Sequence, residues 1–358
     1  MTRKLRERRW RRGRKGIVDF RLPIADLTIV PRVRAEFRSL VLDLKTQSTI
    51  IITASLCVFS LSCRQVPKTV QAEPATTQAR SSKTEYGPPR VVGTIKNLSV
   101  DESSGLVASR SAPGAYWTHN DDGGPLLYAV GSHGESLGVW RVTGAEAFDW
   151  EDISIGPGPD ASKTYLYIGD IGDNSSARGE VVVYRVPEPK PDPTNNSSKA
   201  KPQISERAEA IRLRYPDGKH DAEALLVHPV SGDLYIVTKV ALENPTVYKA
   251  EAPLNAGKVI TMKMVGQLAV PSLFGGIITG GSLSPDGKRV ALCDYFQGYE
   301  MVLPANSNNF DDIWKQRLVS FDFGKRNQGE AIAYRLDGRA LLGTSEGRGS
   351  LVIEVSIK

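Results

Sequence analysis

The sequence is poor in cysteine and histidine, with three and four of them among 358 residues. Cys57 and Cys63 belong to one short apolar run near the N terminus, so Cys293 stands alone in the rest of the chain. This excludes a disulfide within the main domain and any zinc-ligand spacing. The sequence also lacks a serine, cysteine or threonine nucleophile in a recognisable elbow, and it lacks a glycine-rich nucleotide-binding loop.

Positive charge is scarce outside the N terminus. The formal net charge is +6, but residues 1–40 contain 13 Lys and Arg against 4 Asp and Glu, a balance of +9 that leaves −3 for the rest of the chain. A basic arm such as Arg3–Lys15 would suit a nucleic-acid backbone only beside a nucleic-acid-binding fold, and none follows it. We therefore predict no nucleic-acid partner.

No apolar run is long enough to span a bilayer, which needs roughly 20 residues. Thr49–Ser62 is free of charge over about 14 residues, the length of a signal-peptide core. The sequence LSC at Leu61–Cys63 resembles a lipobox, although Ser60 replaces the usual Leu. We predict an exported protein at the periplasmic or outer face of the cell envelope, anchored in the membrane by a lipid on Cys63. A cleaved secretory signal and a membrane-anchoring segment are the alternatives.

The composition divides the chain into four parts. Residues 1–40 are predicted to be an extension from a mis-called start site or a disordered basic segment, and residues 41–63 form the signal or lipoprotein segment. Residues 64–89 are rich in Thr, Ser, Gln, Ala and Pro and are predicted to be a flexible tether. Residues 90–358 form the main domain.

Five short segments of this domain share one pattern. Each begins with an acidic or polar residue, has a central residue that is usually Glu two positions later, and an aliphatic residue two positions after that. Each leads through an apolar stretch and a Gly, Pro or Asp turn into a second predicted strand. The segments are Glu102–Leu106, Asp149–Ile153, Asp221–Leu225, Thr279–Leu283 and Gln328–Ile332, with centres 47, 72, 58 and 49 positions apart.

A period of about 50 residues with about four strands per unit is typical of a β-propeller. The widest spacing contains Pro187–Pro202, which we interpret as a loop insertion. We therefore predict an all-β protein, a β-propeller of five blades with six as the alternative. Arg90–Ile95 supplies the missing outer strand of the last blade and closes the ring. Two β-sandwiches that share a chance motif are a second alternative.

Polar residues cluster where the first strand of each blade starts and the second strand ends, and these positions meet at one mouth of the channel. Crowded carboxylates raise one another's pKa values unless a cation neutralises them, and carboxylate and amide oxygens suit Ca²⁺. We predict a Ca²⁺ site and no other cofactor. The predicted ligands are Glu102, Asn120, Asp121, Glu151, Asp170, Glu223 and Glu330, and Asp149, Asp173, Asn174 and Asp221 belong to the same group.

Two features qualify this metal site. Ser104 and Gly281 replace the central Glu in two segments, so we expect the site off the channel axis, toward the blades that keep Glu. Acidic and Asn residues also end strands and form turns, and for Gly169–Asn174 that interpretation is favoured.

Three residues beside the acidic group are candidates for catalysis. His119 and His220 could act as general bases at neutral pH, or could be structural residues hydrogen-bonded to carboxylates. Lys239 could neutralise an anionic ligand or pair with a neighbouring Glu, and the second interpretation is favoured. Cys293 lacks a positioned base and is interpreted as a core residue.

The motifs together resemble a group of uncharacterised bacterial secreted propellers over residues 92–357. These motifs are WTHND (Trp117–Asp121), DWEDI (Asp149–Ile153), YIGDIGDN (Tyr167–Asn174), HDAEAL (His220–Leu225) and QGEAI (Gln328–Ile332). The strand starts are more distantly similar to those of phytase-like esterases and of calcium-dependent lactonase and paraoxonase-type propellers. That resemblance implies Ca²⁺ held by acidic and Asn residues at the mouth, with Glu151, Glu223 and Glu330 matching the repeated Glu.

Two functions from different classes fit these observations. The first is a non-catalytic module of the cell envelope that binds a small molecule, a saccharide or an envelope protein at the channel mouth. The alternative is a calcium-dependent hydrolase of a phosphoester, lactone or other ester, in which the metal polarises the scissile group. Because the sequence has no recognisable nucleophile, binding is favoured.

Overall fold

The computed structural model describes residues 84 to 358 apart from 193, 195, 273 and 274. The predicted signal segment, Cys63 and the residues before them lie outside this part. Within it the chain forms 22 strands and one short 3₁₀ helix, η1 (Phe310–Lys315). None of the helical structure in these residues reaches the length and apolarity that a membrane crossing requires.

The strands form five sheets, one for each blade. Blade 1 contains β2 (Ser103–Ala108), β3 (Ala115–Asn120), β4 (Leu126–Gly131), β5 (Ser136–Thr143) and β9 (Gln203–Arg207). Blade 2 contains β6 (Trp150–Gly156), β7 (Tyr165–Asp170), β8 (Val181–Pro187), β10 (Glu209–Arg214) and β14 (Val259–Thr261). Blade 3 contains β11 (Ala222–Val227), β12 (Leu234–Thr238), β13 (Thr246–Ala250) and β15 (Lys263–Gln267). Blade 4 contains β16 (Gly280–Leu283), β17 (Arg289–Cys293), β18 (Gln297–Val302) and β19 (Val319–Asp322), and blade 5 contains β20 (Gly329–Tyr334), β21 (Ala340–Ser345), β22 (Leu351–Ser356) and β1 (Arg90–Thr94).

The predicted all-β propeller with five blades is confirmed. Each repeated segment forms the start of an innermost strand, β2, β6, β11, β16 or β20. The ring closes as predicted, because β1 pairs antiparallel with the C-terminal strand β22, from Arg90 opposite Glu354 to Thr94 opposite Leu351. The pairing of the two chain segments extends beyond the strands, where Tyr86 forms an antiparallel bridge with Ile357.

Two blades have five strands where the repeat predicts four. Their outermost strands, β9 and β14, come from chain that lies between strands of the following blade and pair in parallel with β5 and β10. The predicted insertion Pro187–Pro202 is therefore the connection that leads from β8 of blade 2 to the outer edge of blade 1. Covering that edge leaves fewer unpaired backbone groups of β5 exposed.

The hydrophobic core is divided into five clusters, one between each pair of neighbouring blades. In the cluster between blades 1 and 2, Trp117 packs edge-on against Trp140 with ring centres 5.0 Å apart, and Trp150 lies in the same cluster. Both faces of an inner strand are covered by adjacent blades, so β2, β6, β11 and β20 are buried along their whole length. Burial on both faces explains why these strands lack a regular alternation of apolar and polar residues, and their buried carboxylates are exceptions that lie at the start of the strands.

Side chains join the inner strands across the central channel. The Asp152 carboxylate on β6 accepts hydrogen bonds from the backbone N–H of Leu225 on β11 (2.8 Å) and of Gly281 on β16 (3.2 Å). Ser154 Oγ, two residues further along β6, accepts a hydrogen bond from the Val227 N–H (3.0 Å). One acidic side chain of blade 2 therefore contacts the backbones of blades 3 and 4.

Two junctions of blade 5 also use hydroxyl groups. Ser103 Oγ on β2 lies 2.8 Å from Thr344 Oγ1 on β21, which connects blades 1 and 5. Ser282 Oγ on β16 accepts from the Tyr334 N–H on β20 (3.1 Å), which connects blades 4 and 5. These bonds satisfy buried backbone and hydroxyl groups.

Candidate functional site

The starts of the inner strands and the ends of the second strands meet at one face of the ring. Trp150 pairs with Asp170, Ala222 with Thr238, and Gly329 with Ser345. The loops on this face bring together the group that we call the acidic mouth. Its members are Glu102, Asp121, Asp122, Asp149, Glu151, Asp221, Glu223, Glu330 and Glu346.

A β-bulge directs the central residue of the repeat toward the channel. In four blades this residue is the one that has no partner on the second strand, namely Ser104, Glu151, Glu223 or Glu330. In blade 4 the pairing runs through Gly281 without a bulge. Because a bulge turns the extra side chain away from the regular alternation of the strand, it can present a carboxylate to the channel while the flanking residues stay in the core.

Three carboxylates form the buried floor of the mouth. Glu151, Glu223 and Glu330 are 8%, 5% and 7% exposed. Burial, together with the charge of Glu223, raises the pKa of both Glu151 and Glu330 well above its ordinary value. Burial likewise raises the pKa of Glu223 to about 7, although Lys239 counteracts it. The floor therefore retains protons near neutral pH or requires a cation.

Lys239 is the cation of this floor. Its ammonium forms an ion pair with Glu223 and lies 5.5 Å from the ring centre of Tyr295. Burial acts to lower the pKa of Lys239, but Glu223 and Tyr295 outweigh it and raise the pKa. Of the three candidates for catalysis, Lys239 is the one that the structure brings into the acidic mouth, where it pairs with a Glu.

The two histidines lie elsewhere. His119 is completely buried, its Nδ1 lies 3.1 Å from the Asn120 carbonyl, and its ring packs edge-on against Trp150. Burial lowers its pKa to about 4, so it is neutral at pH 7 and has no solvent access. His220 Nε2 lies 3.0 Å from both Asp217 Oδ1 and the Tyr248 hydroxyl. Neither position favours a general base for a reaction at the mouth.

Two of the predicted metal ligands are engaged by other groups. The Asn120 amide donates to the Ser99 carbonyl and to Asp101 Oδ1, both at 2.9 Å. Asp170 accepts from the Phe148 N–H and forms an ion pair with Arg178 at 2.8 Å. The Asn120 side chain holds the loop before β2, and Asp170 holds the loop before β6.

The segment Gly169–Asn174 serves as a strand end and turn, the interpretation that the sequence favours. Asp173 accepts from the N–H groups of Ala177 and Arg178, both at 2.8 Å, and its own N–H donates to Asp221. Asn174 is exposed. The turn therefore orders the segment around Arg178. Both oxygens of the Asp173 carboxylate are used by backbone N–H groups of this segment.

Gly172 in this turn allows two carboxylates to approach the backbone. A Cβ at this position would lie 2.3 Å from Glu151 Oε1 and 2.5 Å from Asp149 Oδ2. We expect Gly172→Ala to displace both carboxylates and to lower the free energy of unfolding by about 1–3 kcal/mol, as overpacking does. Chemical denaturation would measure this, with Gly179→Ala in the same loop as the control because a Cβ there meets open space.

The closest group of potential metal ligands lies at the edge of the mouth in blade 1. Glu102, Asp121 and Asp122 each offer a carboxylate oxygen, and the three oxygens lie within 4.8 Å of one another. A hydrogen bond with Asp121 and partial burial raise the pKa of Glu102 to about 8. Within the described residues no other group of three acidic, His or Cys side chains is this close.

No protein-family model and no curated protein matches this sequence. Solved structures match at low sequence identity. A nidogen/laminin complex matches with a TM-score of 0.37 and 14% identity over 69% of this chain and 73% of the other. Glutaminyl cyclase of Myxococcus xanthus matches with a TM-score of 0.44 and 11% identity over 75% of this chain and 97% of the other. Both are propeller-type proteins.

Sequence reasoning placed Glu102 and Asp121 at the mouth but missed Asp122 and Asp152. Asp122 follows two predicted ligands in the turn THNDDGG, and its place directly after Asp121 was the available signal. Asp152 stands next to Glu151 in DWEDI, where the alternation of a regular strand would place it on the opposite face. The bulge at Glu151 breaks this alternation, so the two adjacent carboxylates serve the mouth and the channel wall.

Proposed function

We propose that this chain is a ligand-binding propeller of the cell envelope whose acidic mouth holds Ca²⁺. The observation that carries the proposal is the group of three carboxylate oxygens of Glu102, Asp121 and Asp122 within 4.8 Å. Ca²⁺ takes six to eight oxygen ligands, so carbonyl groups and water would complete the shell. A small molecule, a saccharide or an envelope protein would bind on the same face.

The protonation of this group supports a cation. Its hydrogen bond with Asp121 and partial burial raise the pKa of Glu102 to about 8, so Glu102 keeps a proton near neutral pH when no metal is bound. Binding of Ca²⁺ would release that proton, since a metal binds the deprotonated carboxylates. Because Glu102 also forms a backbone bridge to Glu346, the metal would stabilise the junction of blades 1 and 5.

The alternative function, ester hydrolysis, has less support from the geometry. A calcium-dependent hydrolase needs a base that reaches the attacking water. His119 is buried beside Trp150, His220 is bonded to Asp217 and Tyr248, and Lys239 is paired with Glu223. Binding without catalysis is therefore the function that we propose.

Removing Ca²⁺ is expected to destabilise residues 84–358. A ligand bound by the native state alone stabilises it by about 2.7 kcal/mol at one hundred times its Kd. We expect thermal unfolding at pH 7.5 to shift upward on titration of Ca²⁺ into EDTA-treated protein, and the shift to disappear in Asp122→Asn. Asp160→Asn on the opposite face, whose carboxylate bonds only locally to Ser162, is the matched control. An unchanged transition in wild-type protein would refute the calcium site.

A further inference from the structure

The Glu151 carboxylate is buried, and the charge of Lys239 acts on it from beyond ion-pair distance. In the described part of the chain no hydrogen bond and no ion pair reaches either of its oxygens, although the side chain is only 8% exposed. The bulge directs it into the mouth, and Asp149 Oδ2 lies beside its Oε1 over Gly172. A buried unpaired carboxylate is costly, so this position is suited to a positively charged group.

The arrangement differs from that of a metal site. Among the described residues, the carboxylates of Glu151 and Asp149 belong to no group of three ligand side chains within 4.8 Å, whereas Glu102, Asp121 and Asp122 do. A metal ion needs several converging oxygens, but an ammonium or guanidinium needs only two or three acceptors. The floor of the mouth therefore fits an organic cation better than Ca²⁺.

The protein already places cationic side chains in this environment. The Lys239 ammonium is held between Glu223 and the ring of Tyr295. The Arg178 guanidinium is held between Asp170 and the ring of Phe148, 5.0 Å from its centre. Both combine a carboxylate with an aromatic face, the two groups that stabilise organic cations.

Apolar side chains surround the mouth on the same face. Phe148 before β6 is 75% exposed, and Phe296 before β18 is 59% exposed. Leu98 before β2 and Leu242 after β12 are also exposed. We call these four residues the apolar rim. The four residues lie in four different loops of the mouth face.

We propose that the floor of the acidic mouth binds a primary ammonium or guanidinium group on an apolar stem. Glu151 and Asp149 are its counter-ions, and the apolar rim packs against the stem or its neighbours. A lysine or arginine side chain of a polypeptide and a free alkylamine share this chemistry. The inference rests on the proposal that the mouth is the ligand-binding face, and it does not depend on Ca²⁺.

Calorimetric titration with two peptides tests the proposal. The probe is acetyl-Phe-Lys-Phe-amide, the neutral comparison is acetyl-Phe-Gln-Phe-amide, and both are measured at pH 7.5 in saturating Ca²⁺. We expect the Lys peptide to bind at least about tenfold more tightly, and Glu151→Gln to remove that difference, since charge-assisted hydrogen bonds are the strong ones. Glu251→Gln is the control, because Glu251 forms an exposed ion pair with Lys263 away from the mouth. This variant should keep the difference in affinity between the two peptides.

Competition by n-butylammonium distinguishes the two sources. If it displaces the Lys peptide at similar concentration, the ammonium alone is recognised and a free amine suffices. If it displaces poorly, the rim contributes and a polypeptide is the ligand. Equal affinity for the Lys and Gln peptides, or full Lys-peptide affinity in Glu151→Gln, would overturn the proposal.

Two further measurements separate folding and calcium from this outcome. Gln has the shape of Glu, so Glu151→Gln should unfold at or above the wild-type temperature, and Asp149→Asn provides a second variant that should weaken the Lys peptide. Preference for the Lys peptide in a protein that shows no Ca²⁺ response would refute the calcium proposal and leave this one standing. A Ca²⁺ response without a preference for the Lys peptide would support the calcium proposal and refute the binding of an organic cation.

Discussion

Asp152→Ala should lower the free energy of unfolding by about 3–5 kcal/mol, the loss expected when three buried N–H donors lose their shared acceptor. The Asp152 carboxylate is completely buried and accepts from the N–H groups of Ile153, Leu225 and Gly281. Alanine would leave these donors unsatisfied in the channel wall. Because Leu225 and Gly281 belong to blades 3 and 4, the contacts between inner strands would weaken together.

Denaturant unfolding of Asp152→Ala and Asp152→Asn would measure this loss. Asparagine keeps one oxygen acceptor, so we expect an intermediate loss. Asp160→Ala, on the opposite face and exposed, should leave the unfolding transition close to that of the wild type. A loss below about 1 kcal/mol in Asp152→Ala would mean that the three N–H groups find other acceptors, and the channel role of Asp152 would be refuted.

Without Ca²⁺, the protein should be less stable at pH 8.5 than at pH 6.5. Glu151 and Glu330 have a pKa raised well above 4.5 by burial and by Glu223, and the pKa of Glu102 is raised to about 8 by Asp121 and by burial. The folded state therefore holds protons that the unfolded state has released. Stability from such groups is complete below their unfolded pKa and is lost as pH rises through the folded pKa.

We expect stability to decrease between pH 6.5 and 8.5 in EDTA, since each proton that the folded state retains contributes up to about 1.4 kcal/mol per pH unit. The interval avoids His119, whose pKa is lowered to about 4 by burial and whose contribution is lost only as pH falls below 6.5. Glu151→Gln should reduce the slope, and saturating Ca²⁺ should reduce it further. Constant stability over this interval would show that the carboxylates of the mouth ionise freely.

The sequence predicts most of the fold because the repeat is regular. Turn residues and a fixed interval between first and second strands locate the five inner strands, and an apolar segment before the first repeat predicts the closing strand β1. The outer strands β9 and β14 could not be predicted. Both follow long connections, and their pairing with a neighbouring blade depends on the position of that blade in space.

The candidate site is predictable in location but not in detail. Strand order alone places Glu151, Glu223 and Glu330 at one mouth. The bulges that orient them depend on backbone pairing, which sequence alternation does not reveal. Asn120 illustrates the limit, because its amide could serve a metal as well as a loop, and only the positions of Ser99 and Asp101 decide between them.

The closing strand brings the two ends of the propeller together. Lys358 N–H donates to the Glu85 carbonyl, and Tyr86 stacks on Phe321 with ring centres 4.3 Å apart. Since β1 runs toward the face of the acidic mouth and β22 runs away from it, both ends leave the ring at the opposite face. A support, a fluorophore or a second protein can therefore be attached at either end without covering the mouth.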